Sequence, residues 1–178
     1  MRQFESIDPE NIENDPRVVS QIVSPEDSER TYYLLIDGDY AILARTKYWT
    51  NPQTGKSKWL HYQLEFPKQG LPWLVDTIEN KFFKLAKEGG LPAGVFHFTE
   101  AIEGERLRVD RYFGLGNCRE TGCAFATVDR RDPNISKEFS FTDTALFELG
   151  LFAWFKDGND NRKLTTCDYR ILTTPGGE

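Results

Sequence analysis

Between residues 31 and 90, three β-prone runs are separated by two turn clusters and followed by one helical stretch. This order constrains the fold more than any other feature of the chain. Tyr32-Tyr33-Leu34-Leu35-Ile36 ends at Asp37-Gly38-Asp39, a turn signal, and residues 40–49 resume the β pattern, so a hairpin is expected. Asn51-Pro52-Gln53-Thr54-Gly55 concentrates turn-forming residues, and residues 58–66 make a third strand. A helix follows: Pro72 suits a first helical position, Leu74, Ile78, Phe82 and Leu85 recur at helical spacing, and Gly89-Gly90 ends it.

The second half runs through a similar order. Residues 96–98, 106–113, 123–130 and 138–141 read as strands, with turns at Gly114-Leu115-Gly116-Asn117 and Asp132-Pro133-Asn134. Thr142 or Asp143 can cap a helix running to about residue 155. Its sequence, ALFELGLFAWF, is apolar on most faces and predicts deep burial. AILARTKYWTNP lies over AFATVDRRDP, and Glu65-Phe66 over Glu138-Phe139, each leading to a helix, which points to an internal duplication. The expected class is α+β, with two ββββα-like repeats whose curved antiparallel sheets are backed by helices. The expected organisation is an acidic, partly disordered N-terminal tail over residues 1–30, units over 31–90 and 91–158, and a C-terminal strand (residues 164–172) and tail over 159–178.

Charge is distributed unevenly. The formal net charge is -6, yet residues 1–30 hold eight acids and three bases, which leaves the remaining 148 residues at -1. Residues 40–64 contain no acid and carry Arg45, Lys47, Lys56 and Lys58. A ligand responds to that local field rather than to the sum. The acidic tail is read as solvating chain, or as a competitor of an anionic ligand for the basic surface. No apolar run reaches the roughly 20 residues that a membrane helix needs. The N-terminus lacks the apolar centre of a secretory signal, and three cysteines form no closed disulfide framework. A cytoplasmic or nucleoid-associated, non-secreted protein is expected.

Side chains alternate across a strand. Residues 58–66 offer Leu60, Tyr62, Leu64 and Phe66 as a core face, leaving Trp59, His61, Gln63 and Glu65 opposite. Residues 40–49 divide into Leu43, Arg45, Lys47 and Trp49 on one side, and Ile42, Ala44, Thr46 and Tyr48 on the other. The expected open face shows Arg45, Lys47, Trp49, Trp59 and His61. Lys56 and Lys58 lie beside it, and Arg106, Arg108 and Tyr112 of the second half extend the track, with Arg130 and Arg131 ending the next strand. Cations interleaved with exposed rings suit single-stranded nucleic acid: Lys and Arg meet phosphates while unpaired bases stack on Trp or Tyr, each stack contributing roughly 1–3 kcal/mol. No helix rich in Arg and Asn suits a major groove. The alternative is a protein-interaction module using the same exposed aromatic face without nucleic acid.

The run YYLLIDGDYAILARTKYWTNPQTGKSKWLHYQLEF ahead of LPWLVDTIE resembles the positive-cofactor-four-like transcriptional coactivators. The matching points are a strand ending in Tyr48-Trp49, a Pro- and Gly-containing turn with lysines, and a strand leading into a helix whose early turn carries Trp73. The duplicated layout is also similar to the PUR-domain and Whirly proteins. The resemblance covers residues 31–88 and, more loosely, 93–157. It implies a curved antiparallel sheet backed by a helix that binds single-stranded DNA, DNA being favoured over RNA, with low sequence specificity. A homodimer formed through the helices follows from the same resemblance.

Enzyme chemistry finds little support. Cys118 and Cys123 are separated by four residues, wider than the usual paired spacing at zinc sites. Gly114-Leu115-Gly116 lacks the third glycine of a dinucleotide loop, since Arg119 holds that place. A nucleophilic pairing of Cys123 with His61 or His97, as in a small hydrolase, is the remote third reading. No enzyme activity, cofactor or metal is expected.

Overall fold

The computed structural model describes residues 2–115, 119–130 and 138–159. The strand expected over 164–172, the turn at 132–134, Arg131, Cys118 and Cys167 lie outside them. Eight strands form two four-stranded antiparallel sheets in sequence order. The first contains β1 (Val18–Ser24), β2 (Asp27–Asp37), β3 (Tyr40–Thr50) and β4 (Ser57–Pro67). The second contains β5 (His97–Ile102), β6 (Glu105–Leu115), β7 (Glu120–Thr127) and β8 (Glu138–Thr142). Helix α1 (Gly70–Thr77) follows the first sheet and α2 (Leu151–Asn159) the second. The chain is therefore α+β, built of two ββββα units.

Both sheets turn a face to one core. Tyr32, Leu34, Leu43, Leu64 and Phe66 of the first sheet share a buried cluster with Leu107, Val109, Phe125, Phe139 and Phe141 of the second. Phe66 and Phe125 meet edge to face, their centroids 4.8 Å apart. Leu71, Leu74, Val75 and Ile78 of the first helical stretch, and Leu151, Trp154 and Phe155 of α2, complete the cluster. The Trp154 indole N–H donates to Ser20 Oγ of β1, so the second unit's helix closes over the first unit's sheet.

Each helix is shorter than its apolar pattern suggests. After Thr77 the first widens into a π-helical turn over Ile78–Phe82. That turn breaks the phase of the pattern, and Leu85, expected on the buried stripe, is exposed. In the second unit a π-helical turn over Thr144–Glu148 ends at Gly150, whose φ of +91° a side chain would strain. Only then does α2 begin. Phe147 and Leu149, just before the break, face outward instead of joining the core.

The first thirty residues are not a tail. β1 pairs with β2 from Val18 to Ser24, with Ser20 opposite Leu34 and Ile22 opposite Tyr32 on the core side. Ahead of it, Ile7 and Ile12 are buried with Tyr33, Leu35, Ile42 and Ala44 against the outer face of the first sheet. Polar contacts fix this cover. The Ile7 amide donates to Gln63 Oε1 at 2.8 Å, Gln63 Nε2 donates to the Glu5 carbonyl, and Arg2 pairs with Asp37 at 2.7 Å. The nearly buried Arg130 side chain ties the cover to the second sheet: its guanidinium forks onto Glu105, donates to the Arg2 carbonyl and lies over the Phe4 and Tyr40 rings. Pro9, Pro16 and Pro25 all fall outside the strands, where a missing N–H costs nothing.

Candidate nucleic-acid interface

Strand register decides which side chains share a face, because residues directly opposite in an antiparallel pair project to the same side. Arg45 lies opposite Tyr62, Lys47 opposite Leu60 and Trp49 opposite Lys58. Across the other edge of β3, Arg30 lies opposite Lys47 and Tyr32 opposite Arg45. Arg30, Arg45, Lys47, Trp49 and Lys58 therefore share the inner face, beyond the point where Leu43, Leu64 and Phe66 enter the core. Trp59 pairs with Tyr48, and His61 with Thr46, on the outer face. The expected open face thus joined residues from two sides of one sheet. Trp59 meets Tyr48 edge to face at 5.2 Å, and His61 Nε2 is 2.7 Å from Ser6 Oγ of the N-terminal cover.

The inner face runs from core to solvent within three strands. Leu64 is fully buried, Tyr62 is half-buried, and Leu60 and Lys58 are exposed. Arg45 marks the boundary. Its guanidinium lies 5.5 Å from the Tyr62 ring centroid and 5.6 Å from that of Phe139 on the facing sheet, close enough for cation–π attraction. Among the described residues no carboxylate pairs with it. A groove of about 190 Å³ opens here, lined by Arg30, Arg45, Lys47, Leu60 and Tyr62, with Thr46 and His61 alongside. Tyr62 is further held by accepting the Glu138 amide on its hydroxyl at 2.6 Å. Burial raises the phenol's pKa above its ordinary value, so it remains a neutral donor and flat surface at physiological pH.

The turn after β3 adds two more cations. Asn51 Oδ1 accepts the amides of Gln53 and Thr54, and the Gly55 amide bonds the Asn51 carbonyl. Gly55 takes φ +68°, a left-handed value that suits glycine. This closes the chain so that Lys56 and Lys58 emerge exposed beside Trp49, with Lys58 Nζ 6.0 Å from the indole centroid.

Two carboxylates guard the other side. Asp27 Oδ2 lies 3.0 Å from Lys47 Nζ and 3.3 Å from the Arg30 guanidinium, and Glu29 Oε2 lies 3.0 Å from Lys47 Nζ. The Lys47 ammonium holds the Asp27 carboxyl below its usual range. The acidic β1–β2 hairpin thus occupies cations that a phosphate would use. Arg30 was absent from the expected track because it sat in the supposed tail. Alternation from Leu34 through Tyr32 back to Arg30 is the signal that places it on this face.

The second unit's residues do not extend the track. Arg106, Arg108 and Tyr112 alternate on the outer face of the second sheet, since Leu107 and Val109 between them are core. Arg106 is committed to Asp129 through its backbone amide, Nε and guanidinium at 2.6–2.8 Å, and Arg108 Nε donates to Asp110 at 2.6 Å. Tyr112 is half-buried. The Arg130 side chain is only 7% exposed and is paired with Glu105.

Cys123 is buried in the core, and its burial raises the thiol's pKa while Arg111 partly offsets that shift. His61 lies on the outer face of the other sheet and His97 at the start of β5, so no nucleophilic pair forms there. Among the described residues no cluster of three His, Cys, Asp or Glu side chains could hold a metal ion, and no helix is long and apolar enough to cross a membrane.

Fold and groove together define a two-sheet α+β protein with a cationic, aromatic strip at the open end of one sheet. No protein-family model, curated protein or solved structure matches the chain.

Proposed function

We propose that the protein binds single-stranded nucleic acid along the inner-face end of its first sheet, with Arg30, Arg45, Lys47, Lys56 and Lys58 meeting phosphates and Trp49 and Tyr62 offering flat surfaces to bases. The observation that carries this reading is the shared register of Arg30, Lys47 and Arg45, and of Trp49 and Lys58, across three adjacent strands. A cation row beside half-exposed rings matches the two features every single strand presents, repeating negative charge and unpaired base faces. A duplex would offer this surface no base faces to stack on, since they are hidden in its interior. The resemblance to positive-cofactor-four-like, PUR-domain and Whirly proteins implies the same ligand class. Trp59, Arg106, Arg108 and Tyr112 have no part in the site.

The test is a salt titration of binding to a labelled single strand, a duplex and an RNA of equal length. Affinity for the single strands should exceed that for the duplex and fall steeply with salt, with a log–log slope of about 0.7 per phosphate neutralised. Equal binding of all three, or binding indifferent to salt, refutes the proposal.

A further inference from the structure

Where the end of the first unit meets the second, four phenylalanines stand out of the surface at one place. Phe83, Phe96, Phe113 and Phe147 are 49, 50, 64 and 44% exposed. They form two edge-to-face pairs: Phe83 with Phe147 at 4.9 Å, and Phe96 with Phe113 at 5.0 Å. Arg111 joins the pairs. Its guanidinium lies 5.0 Å from the Phe83 centroid, its amide donates to the Phe96 carbonyl at 2.7 Å, and Phe113 follows two residues later on the same face of β6. That guanidinium is held in a fork by Asp143, so the centre of the patch carries no net charge. Leu85 and Leu149, each two residues from a ring, are exposed as well.

We propose that this patch is the contact surface between two copies of the chain. Taking about 200 Å² per ring, the four rings leave roughly 400 Å² of apolar surface in water. With the leucines, that is at the upper end of what monomers keep, roughly 300–600 Å². It is also more than half of the ~800 Å² each partner brings to a standard interface. A two-fold contact needs a self-complementary surface. Edge-to-face pairs present both ring faces and ring edges, so a second copy continues the same packing. The exposed charges that flank Phe83 and Phe147 in sequence form a balanced rim, Lys84 and Lys87 against Glu88 and Glu148. Such a rim neither attracts a polyanion nor repels its own copy. The patch shares no residue with the groove lined by Arg30, Arg45, Lys47, Leu60 and Tyr62, and the proposal stands whether or not that groove binds nucleic acid.

Sedimentation velocity of the full chain, free of nucleic acid, between about 1 and 200 μM tests it. The expected mass is twice the 20.5 kDa chain at the upper concentrations. Phe113→Asp combined with Phe147→Asp should weaken the dimer at least about 30-fold, as truncation of interface anchors does. Phe147 also packs on the core residue Phe152 at 5.3 Å, so Phe113→Asp alone, at the most exposed ring, is the control: it too should weaken the dimer, and its thermal unfolding when dilute should match that of the parent. A parent at 20.5 kDa throughout overturns the proposal, and so does a dimer indifferent to both substitutions. A monomeric parent that loads onto neutral phosphatidylcholine vesicles through these rings would assign the patch to a lipid surface and likewise overturn it.

Discussion

Replacing Asp27 by Asn and Glu29 by Gln removes the carboxylates that hold Lys47 and Arg30, while Asn and Gln keep the shape of the hairpin. In the parent, both Lys47 contacts are 3.0 Å long and the Arg30 contact is 3.3 Å. A phosphate seated on these cations is not neutralised while the carboxylates stay, so its condensed counterion stays with it. With the carboxylates gone, two phosphates release their counterions, and the salt dependence steepens by about 1.4, at 0.7 per phosphate for a single strand. A fourfold rise in salt then costs the variant about sevenfold more affinity than it costs the parent. Fluorescence anisotropy of a labelled oligonucleotide, titrated at several salt concentrations, reads both quantities. The variant should bind more tightly at low salt and lose that advantage as salt rises. If parent and variant bind with one affinity and one slope, the hairpin does not compete with the strand. If neither binds, the groove itself has been misread.

The remaining expectations concern stability. Arg130→Met strands the Glu105 carboxylate, whose side chain is only 9% exposed, without its partner. Breaking a buried pair from one side costs about 3–5 kcal/mol, so the melting temperature should fall by roughly 10 °C; an unchanged melting temperature contradicts the link this residue makes between the N-terminal cover and the second sheet. For Glu105, burial pushes the carboxyl up, but the Arg130 fork and the Tyr40 hydroxyl outweigh it and hold the group below its usual range. Asp143 is held low by Arg111. Carboxyls whose pKa is lower folded than unfolded stabilise the protein above the ordinary carboxylate range and lose that effect as pH falls through the folded values. Denaturant midpoints should therefore stay level from about pH 7 to 5 and drop below about pH 4. A midpoint that rises in acid refutes that assignment.

The strands were legible because each β-prone run is bounded by turn chemistry: Asp37-Gly38-Asp39 before β3, and Asn51 to Gly55 before β4. The order of β2 to β8, with each set leading into a helix, follows from the same punctuation. The faces were not legible, for a physical reason. Alternation divides one strand into two sides but does not fix its phase against a neighbour across a six-residue turn, and a one-residue change in that phase moves Trp59 from one side to the other. A sheet with one wet face would have betrayed the phase. Here Tyr32, Leu43 and Leu64 are covered by the second sheet and the helices, while Tyr33, Leu35 and Ile42 lie under the N-terminal segment, so both sides of β2 and β3 look apolar.

Long-range pairing hid the rest. Arg106 meets Asp129 from 23 residues away, and Arg130 meets Glu105 from 25, so cations that look available in sequence are already engaged in space. β1 escaped notice for a related reason. Its apolar residues, Val18, Val19, Ile22 and Val23, are few and sit among the acids and prolines of the first thirty residues. It is a strand through its pairing with β2 rather than through its own composition. Leu85, Phe147 and Leu149, expected in the core, are exposed for a further reason: π-helical turns shift phase in a way that helical spacing alone does not report.

Trp49 and Trp59 sit on strands side by side yet project to opposite faces of the first sheet, and this contrast tests the central claim most directly. Anisotropy titrations of Trp49→Ala and Trp59→Ala against the same single strand, at one fixed low salt concentration, should separate them. Loss of one base stack, roughly 1–3 kcal/mol, weakens the Trp49 variant about 5- to 150-fold, while the Trp59 variant binds as the parent does. Equal losses from both, or a loss from Trp59 alone, would contradict a binding surface on the inner face.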